Sequence, residues 1–580
     1  MRALAAVLSG VAVACGSARP FPLRRPFLVD TDLQPVSVPC RPDPKPDDPA
    51  RRTCAPREYV SPFVWDQLDN LVFARLSRAF SVAVSGEAVN VNSLDEVPDS
   101  SWFTNRPRAA LAGIEAAGRR APGACNPADL LSTEDQVADG AWRIDHGKDN
   151  GSTLGFRVEV PGQGRYMLKA DDKGQPERAS AASVIGAAFY DALGFNTSCE
   201  QIVVLRKAQL QLTPGLLVVD NDGVSHPFDE AALDKVLATT TQLPGGRVRM
   251  QASKWLRGVT LGPFRYTGTR DDDPNDVVDH ADRRELRGSR ILAAWLDHWD
   301  AREQNSMDVW RAVDPSNDRA SPGHVVHYLI DLSDTLGGEV SVAEMSRRLG
   351  HSYDFDLADI VHSLVTLGAD ERPWDHARPM IGREKFNFFR ISDFDPALWK
   401  PAYPNPAFLR MTERDAAWMA RLIARFSIPD LRRFVEYGQW SDPGDAAYLT
   451  SVLAARQRRI LMRYLGRLSP LGEVRAPGPD QICATDFARL RELAPPEAFR
   501  YTVVERRGGA RIALRAEPGE DGAVCFRGVP VVTGQLADDD PARIVTFEVE
   551  NGTRAGPLVI HAYDLGERGM RVVGLTRPEP

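Results

Sequence analysis

His298-Trp299-Asp300-Ala301-Arg302-Glu303-Gln304-Asn305 is the stretch on which the reading of this chain turns. Asp300 is followed five positions later by Asn305, and Asp331 closes an apolar run, Tyr328-Leu329-Ile330. A carboxylate that orients a hydroxyl, an amide that can hold a cation and a second carboxylate at a strand end are parts of a phosphoryl-transfer site. Alone, so short a pattern recurs by chance, and a solvated turn at a helix end explains it equally well. It gains weight from what lies upstream.

Lys169 occupies an inward position of an apolar strand, Tyr166-Met167-Leu168-Lys169-Ala170. A buried lysine costs free energy unless it is paired. Glu177, at the start of the next helix, is the available partner, although the helix dipole alone favours an acid there. Between two strands lies Asn150-Gly151-Ser152-Thr153-Leu154-Gly155-Phe156. Gly151 and Gly155 would let backbone amides approach phosphate oxygens, and an ordinary hairpin turn accounts for the same glycines.

Periodicity places these residues on elements. Phe156–Val160 alternates, Pro161–Gly164 is a turn, and Tyr166–Ala170 completes a hairpin. Glu177–Leu193 repeats with helical spacing and stops at Gly194; strands follow at Gln201–Leu205, Leu216–Val219 and Arg247–Leu256. Beyond Pro263 the pattern is helical, with Leu286–Trp299 delivering the central motif, and Thr412–Phe426 and Ala446–Leu465 further on. Alternation returns after Arg475, at Phe499–Val504, Ala510–Leu514, Ile544–Val549 and Leu558–Ala562. The fold class expected is α+β: a bilobal body followed by an all-β, sandwich-like domain.

The boundaries expected are a signal peptide at 1–15, a Pro-rich tether at 16–60 and an N-terminal extension at 61–140. A small lobe follows at 141–262, a helical large lobe at 263–470 and the β domain at 475–580. Within the extension, Trp65–Phe80 carries apolar residues at helical spacing, and Ala88–Phe103 reads as an ordered loop. The run Asp271–Asp282 contains six aspartates and reads as a solvated loop.

Composition narrows the class. Of 580 residues, 43% are hydrophobic and 26% charged, which is globular. A net charge of -8 argues against nucleic-acid partners and against a basic membrane-binding surface. Arg2 and the small apolar run Ala3–Ala14 form a targeting segment. Its end, Ala14-Cys15-Gly16, resembles the lipobox of bacterial lipoproteins, which implies acylation of Cys15; Ala12 departs from the larger aliphatic residue usual there. An ordinary secretory signal is the alternative. The chain would then lie in the cell envelope, lipid-anchored (at the outer membrane by preference) or periplasmic or secreted. Six cysteines remain: Cys40, Cys54, Cys125, Cys199, Cys483 and Cys525. Export permits disulfides, and neighbouring pairs are the simplest of the fifteen arrangements six cysteines allow.

Taken in order, the glycine loop, Lys169, Glu177, His298-x-Asp300-x-x-x-x-Asn305 and Asp331 resemble the atypical protein kinases. The likeness is to the HipA-like group and the secretory-pathway kinases, over roughly residues 140–470. The chain as a whole is similar to large bacterial lipoproteins. The kinase resemblance implies a protein-kinase-like body with a nucleotide cleft between its lobes. ATP and Mg²⁺ would be the cofactors and the acceptor is unspecified. It implies that Gly151, Gly155, Lys169 and Glu177 bind the nucleotide, that Asp300 with Lys169 is catalytic, and that Asn305 and Asp331 hold the metal. His298 would pack the loop. Asp331-Leu332-Ser333 departs from the Asp-Phe-Gly of typical kinases, the glycine loop is sparse, and no activation segment ends in Ala-Pro-Glu. A kinase-like cleft that binds a ligand or serves as a scaffold without catalysis is the other expectation.

Overall fold

The computed structural model describes residues 25–43, 48, 50–79, 86–106, 124–132, 136–148, 153–219, 224–338, 343–369, 371–372, 374–530, 534–538 and 540–579. The chain is an α+β protein with two compact units. Among the described residues, one comprises those within 29–90 and 97–465, the other those within 25–28, 91–96 and 466–579. The targeting segment and Cys15 lie outside the described residues. Among the described residues no helix is long and apolar enough to cross a membrane.

The larger unit opens with a mostly antiparallel sheet. Its strands are β1 (Trp142–Gly147), β2 (Gly155–Val160), β3 (Gly164–Ala170), β4 (Glu200–Arg206), β5 (Leu210–Leu212), β6 (Thr241–Leu243) and β7 (Arg247–Lys254). They run β4-β7-β3-β2-β1-β5, with β6 pairing the part of β7 that β3 leaves uncovered. Only β1 and β5 pair in parallel. Gly162 and Gly164 take φ of 74° and 82° in the β2–β3 turn, a region that glycine enters without penalty.

Alternation sorts this sheet into two faces. Tyr166, Leu168, Val203, Leu205, Met250 and Ala252 face a core shared with α2 (Glu230–Thr239). Lys169, Glu200, Gln251 and Ser253 therefore point to the opposite side. That side is covered by α1 (Arg178–Ala192), whose Ser183 hydroxyl reaches Glu200. Helix α1 is rich in small residues and buried along nearly its whole length. A side chain at Gly186 would place its Cβ 3.0 Å from Leu332, so glycine lets α1 lie close against the turn that follows Asp331. Arg178 donates to the Ser333 carbonyl and Thr335 Oγ1 donates to the Ala182 carbonyl, which fastens that turn to the helix.

Helix α3 (Arg284–Leu296) carries the chain to the central motif. It ends earlier than periodicity suggests because Asp297 is left-handed, at φ 59°, and its carboxylate accepts from Trp399 Nε1 at 2.9 Å. The stretch after the motif is not helical. It forms a hairpin of β8 (Ser306–Ala312) and β9 (Gly323–Leu329), flanked by Val259–Thr260 and, in parallel, by Asn196–Thr197. Helices α4 (Glu413–Ile423), α5 (Ile428–Glu436) and α6 (Pro443–Tyr464) complete this side; capping boxes at Thr412 and Ser427 fix where α4 and α5 begin.

The described residues between 29 and 60 are held by more contacts than their proline content suggests. Cys40 and Cys54 are disulfide-bonded, Val36 pairs with Gly323, and the Cys54 amide donates to the Arg319 carbonyl. The acidic run is only partly solvated. Asp273 and Asp276 are buried, and Asp276 accepts from His280 Nε2 at 2.7 Å, with Arg283 alongside. Local cations drew these aspartates inward, where charge counting alone placed them in water.

In the second unit, β10 (Leu471–Arg475), β11 (Gln481–Asp486), β14 (Ala516–Pro518) and β15 (Ala523–Arg527) form one antiparallel sheet. Strands β12 (Thr502–Arg507), β13 (Ala510–Leu514), β16 (Ile544–Glu550), β17 (Leu558–Asp564) and β18 (Met570–Thr576) form another. Ile482, Val524 and Phe526 of the first share a core with Val503, Phe547 and Ile560 of the second, as a sandwich requires. Ser93 adds a backbone bond to β18, and Asp95 pairs with Arg577. Cys483 and Cys525 face each other in register and are bonded, and the third disulfide, in the larger unit, is Cys125–Cys199. These three bridges suit an oxidising, exported environment.

Candidate functional site

Asn305 ends the loop just before β8, and Asp331 stands just after β9. Ser306 pairs with Leu329, and the Ile330 amide donates to the Asn305 carbonyl at 3.0 Å. The open mouth of one hairpin therefore brings Asn305 and Asp331 together. Asp331 is left-handed, at φ 55° and ψ 57°, and opens the 3-10 turn Leu332–Asp334. Aspartate tolerates this conformation better than most residues.

Lys169 Nζ donates to Asp331 Oδ1 at 2.6 Å, and Ser333 Oγ donates to the same oxygen at 2.9 Å. Lys169 keeps only 10% of its side-chain surface exposed, Asp331 33%. Asp331 thus sits in a recess, surrounded by protein yet open on one side. Burial would raise its pKa; the Lys169 charge and hydrogen bond, then the Lys148 charge and the Ser333 hydroxyl, overcome this and bring it down to about 2. Burial likewise opposes the charged form of Lys169, but Asp331, Glu200 and Asp334 raise its pKa on balance.

Asp300 is buried beside this pair. Asn305 Nδ2 donates to the Asp300 carbonyl at 2.7 Å and to its Oδ2 at 2.9 Å, and Arg302 Nε lies 2.9 Å from Oδ1. Burial pushes the Asp300 carboxyl well above its usual range; Arg302 pulls it back, and Asp334 adds to the rise. Asp334 is also raised, first by burial and then by Asp331. His298 is buried and bonded through Nδ1 to Tyr190 at 2.9 Å, and burial lowers its pKa to about 4. It packs the loop, as the sequence suggested.

The expected contact between Lys169 and Glu177 is replaced by two others. Glu177 caps α1 at φ 67°, and its Oε2 accepts from Lys385 Nζ at 3.3 Å and from the Ser441 amide at 3.4 Å. The left-handed turn before the helix brings this carboxylate to Lys385, and Asp331 takes the lysine instead. Gly155 lies opposite Lys169 in register. An added Cβ there would sit 2.3 Å from the Leu168 carbonyl oxygen, so strand crowding already demands glycine. Gly151 lies outside the described residues.

Two further charged residues join the site. Lys148 Nζ donates to the Thr153 carbonyl at 2.8 Å across the neck of the β1–β2 turn. Burial, then the Lys169 charge, lowers its pKa to about 8. Glu200 is buried on the Lys169 face of the sheet. It accepts from Ser198 and Ser253, each at 2.6 Å, from Gln251 at 2.9 Å and from Ser183 at 3.2 Å. Burial raises its pKa, and these donors and Lys169 oppose the rise. Period-two alternation from Val203 and Leu205 back to Glu200 would have found it.

Asn305 and Asp331 offer the hard oxygen atoms that suit a divalent cation, and the nearby Asp334 adds negative charge. Among the described residues, no three His, Cys, Asp or Glu side chains already converge as metal ligands. A cation would rely on Asn305 and Asp331 together with water and substrate oxygens, as Mg²⁺ commonly does.

Comparison with protein-family models finds no match, and comparison with curated protein sequences finds none either. Among solved structures, the chain is similar to a crystal structure of the Golgi casein kinase. The match has 12% identity and a TM-score of 0.23, and covers 69% of this chain and 89% of that one. A structure of the Golgi casein kinase with Mn/ADP bound aligns at 12% identity and a TM-score of 0.24, over 70% and 84% of the two chains. Superpositions this loose carry no conclusion about this chain.

Proposed function

We propose that the chain is an exported atypical kinase that transfers a phosphoryl group from a nucleotide, ATP by preference, to an acceptor with Mg²⁺. The main support is that Lys169 from the sheet bonds Asp331, that Asp331 and Asn305 flank one hairpin mouth, and that Asn305 bonds Asp300 of the loop. In this reading Lys169 leaves Asp331 to hold phosphate oxygens. Asn305 and Asp331 hold the cation, which when bound would neutralise charge on the transferring phosphates. Asp300, positioned by Asn305 and Arg302, orients the acceptor hydroxyl. Glu200 stands in the charge-balancing place expected of Glu177. Residues 141–262 and 263–470 are the two lobes, and Cys15 carries a lipid that anchors the chain in the envelope.

The test is titration with a fluorescent nucleotide, with and without Mg²⁺, followed by phosphate-transfer assays. Metal-dependent binding lost in Asp331→Ala, and transfer lost in Asp300→Ala, are the expected results; binding indifferent to both changes removes the reading. One observation favours a ligand-binding protein without catalysis. Burial raises the pKa of the Asp300 carboxyl and so favours its neutral form, where a kinase needs a carboxylate. Nucleotide binding without any transfer would establish that alternative.

A further inference from the structure

Two helical segments of the larger unit are turned inside out. In Leu357–Val365, wholly within the described residues, no side chain is buried. Its polar side faces the protein. Asp356, the cap, accepts from Lys400 Nζ at 2.7 Å, Asp359 accepts from Ser352 Oγ at 2.7 Å, and Ser363 Oγ accepts from Arg372 at 2.6 Å. Leu357, Ile360, Val361, Leu364 and Val365 are exposed, as is Leu367 just beyond. An ordinary surface helix shows the opposite arrangement.

The stretch Phe63–Ala79 repeats the pattern. Asp66 and Asn70 are buried and bonded to each other at 2.8 Å, whereas Val64, Trp65, Leu68, Phe73 and Leu76 are exposed. Trp65 and Phe73 stack with ring centroids 5.7 Å apart, which joins successive turns of the outer face. Ser61, just ahead, donates to Glu303 Oε2 and accepts from Gln304 Nε2, each at 2.9 Å, so the segment is fastened to the central loop. The Arg75 guanidinium lies over the Tyr353 ring at 5.7 Å, two positions before the exposed Phe355. That contact brings the end of one apolar face beside the approach to the other.

Exposed apolar surface on this scale marks a binding face. A lipid bilayer is the occupant that fits. Aromatic and aliphatic side chains turned outward, with the helices' own carboxylates drawn inward, suit the boundary between headgroups and acyl chains. Fourteen positions separate Cys15 from Val29, where the larger unit begins. At ~3.3–3.6 Å per residue they span at most about 50 Å. A chain acylated at Cys15 therefore keeps this unit close to the membrane.

We propose that the two outward faces seat the larger unit on a lipid surface, lying in the plane of the headgroups without crossing. Nearness to the bilayer rests on the acylated reading of Cys15; contact by the faces does not.

The full chain is mixed with phosphatidylcholine vesicles, plain or brominated on their acyl chains, and followed by flotation and tryptophan fluorescence. Bromine quenches indoles that enter the acyl region. Flotation with quenching is expected. Quenching should fall several-fold in Trp65→Phe and in Leu364→Glu/Leu367→Glu, the latter at side chains 70% and 92% exposed, with circular dichroism unchanged. Flotation without quenching, or quenching indifferent to these changes, overturns the proposal and leaves the Cys15 anchor standing. Absence of flotation overturns both. Sedimentation without lipid covers the other occupant: dimerisation abolished by Leu364→Glu/Leu367→Glu gives the face to a second copy and overturns the proposal.

Discussion

The ammonium of Lys169 and the carboxylate of Asp331 meet at 2.6 Å although 162 positions separate them in the chain. The two partners are unequally sheltered, since Asp331 keeps a third of its side-chain surface open and Lys169 a tenth. Removing the aspartate leaves the more buried charge without its counter-ion. Asp331→Asn should therefore destabilise the larger unit by about 2–4 kcal/mol, and Lys169→Met by less. Urea unfolding of both variants and of the double variant measures the asymmetry; equal losses would show that burial does not govern the pair.

Asn305 binds Asp300 through two hydrogen bonds from one amide group. Asn305→Ala should free the Asp300 carboxyl to rotate and also remove the proposed cation ligand. Any phosphate transfer should fall by roughly 10²–10⁴-fold, the range typical of a misplaced acid-base group. Steady-state transfer at saturating nucleotide checks this, with circular dichroism to confirm the fold.

Glu303 yields a pH dependence. Burial, then the charge of Asp66, lifts its carboxyl from 4.5 to about 7. Between these values the folded chain holds a proton that the unfolded chain has released, so stability falls as pH rises through the window. Glu303→Gln should be more stable than wild type above pH 7 by on the order of 2–3 kcal/mol, with the advantage vanishing below about pH 4.5. Thermal unfolding of both proteins across this range tests the sign directly.

Gly155→Ala should destabilise the sheet beside Lys169, because the new methyl group meets the Leu168 carbonyl oxygen at 2.3 Å. The strand must shift, at a cost of about 1–3 kcal/mol. Denaturant midpoints measure it; a neutral substitution would mean the β2–β3 pairing yields without penalty.

The Cys125–Cys199 bridge closes 74 positions and ends one residue before Glu200. Replacing both cysteines with serine should cost about 2–4 kcal/mol. Chemical denaturation under non-reducing conditions, compared with wild type, provides the check.

Much of this was legible from residue order. The β2–β3 hairpin, α1 and its stop at Gly194, and the late strands follow from alternation, spacing and turn residues. Asp300, Asn305, Lys169 and Asp331 were recognisable because their chemistry is specific and their order meaningful. The partner of Lys169 was not, since Glu177 and Asp331 are both acids at element ends, and only the path of the backbone distinguishes them. Nor was the β8–β9 hairpin read in full. Its strands carry Asp308, Arg311, His324 and His327, which blur the apolar alternation because Asp308 and His327 satisfy each other inside the fold. Glu200 was missed for a similar reason, being a buried acid held by neutral donors with no nearby motif to mark it.

Because Asn305 and Asp331 flank the two ends of one hairpin, the number of residues between them reflects only how far that arm extends. Lengthening or trimming its tip in register would change the interval in the sequence without moving either group. Searches that demand a fixed gap between the two will pass over distant cousins of this protein, whereas searches that ask for an asparagine before one strand and an aspartate after its antiparallel neighbour will find them.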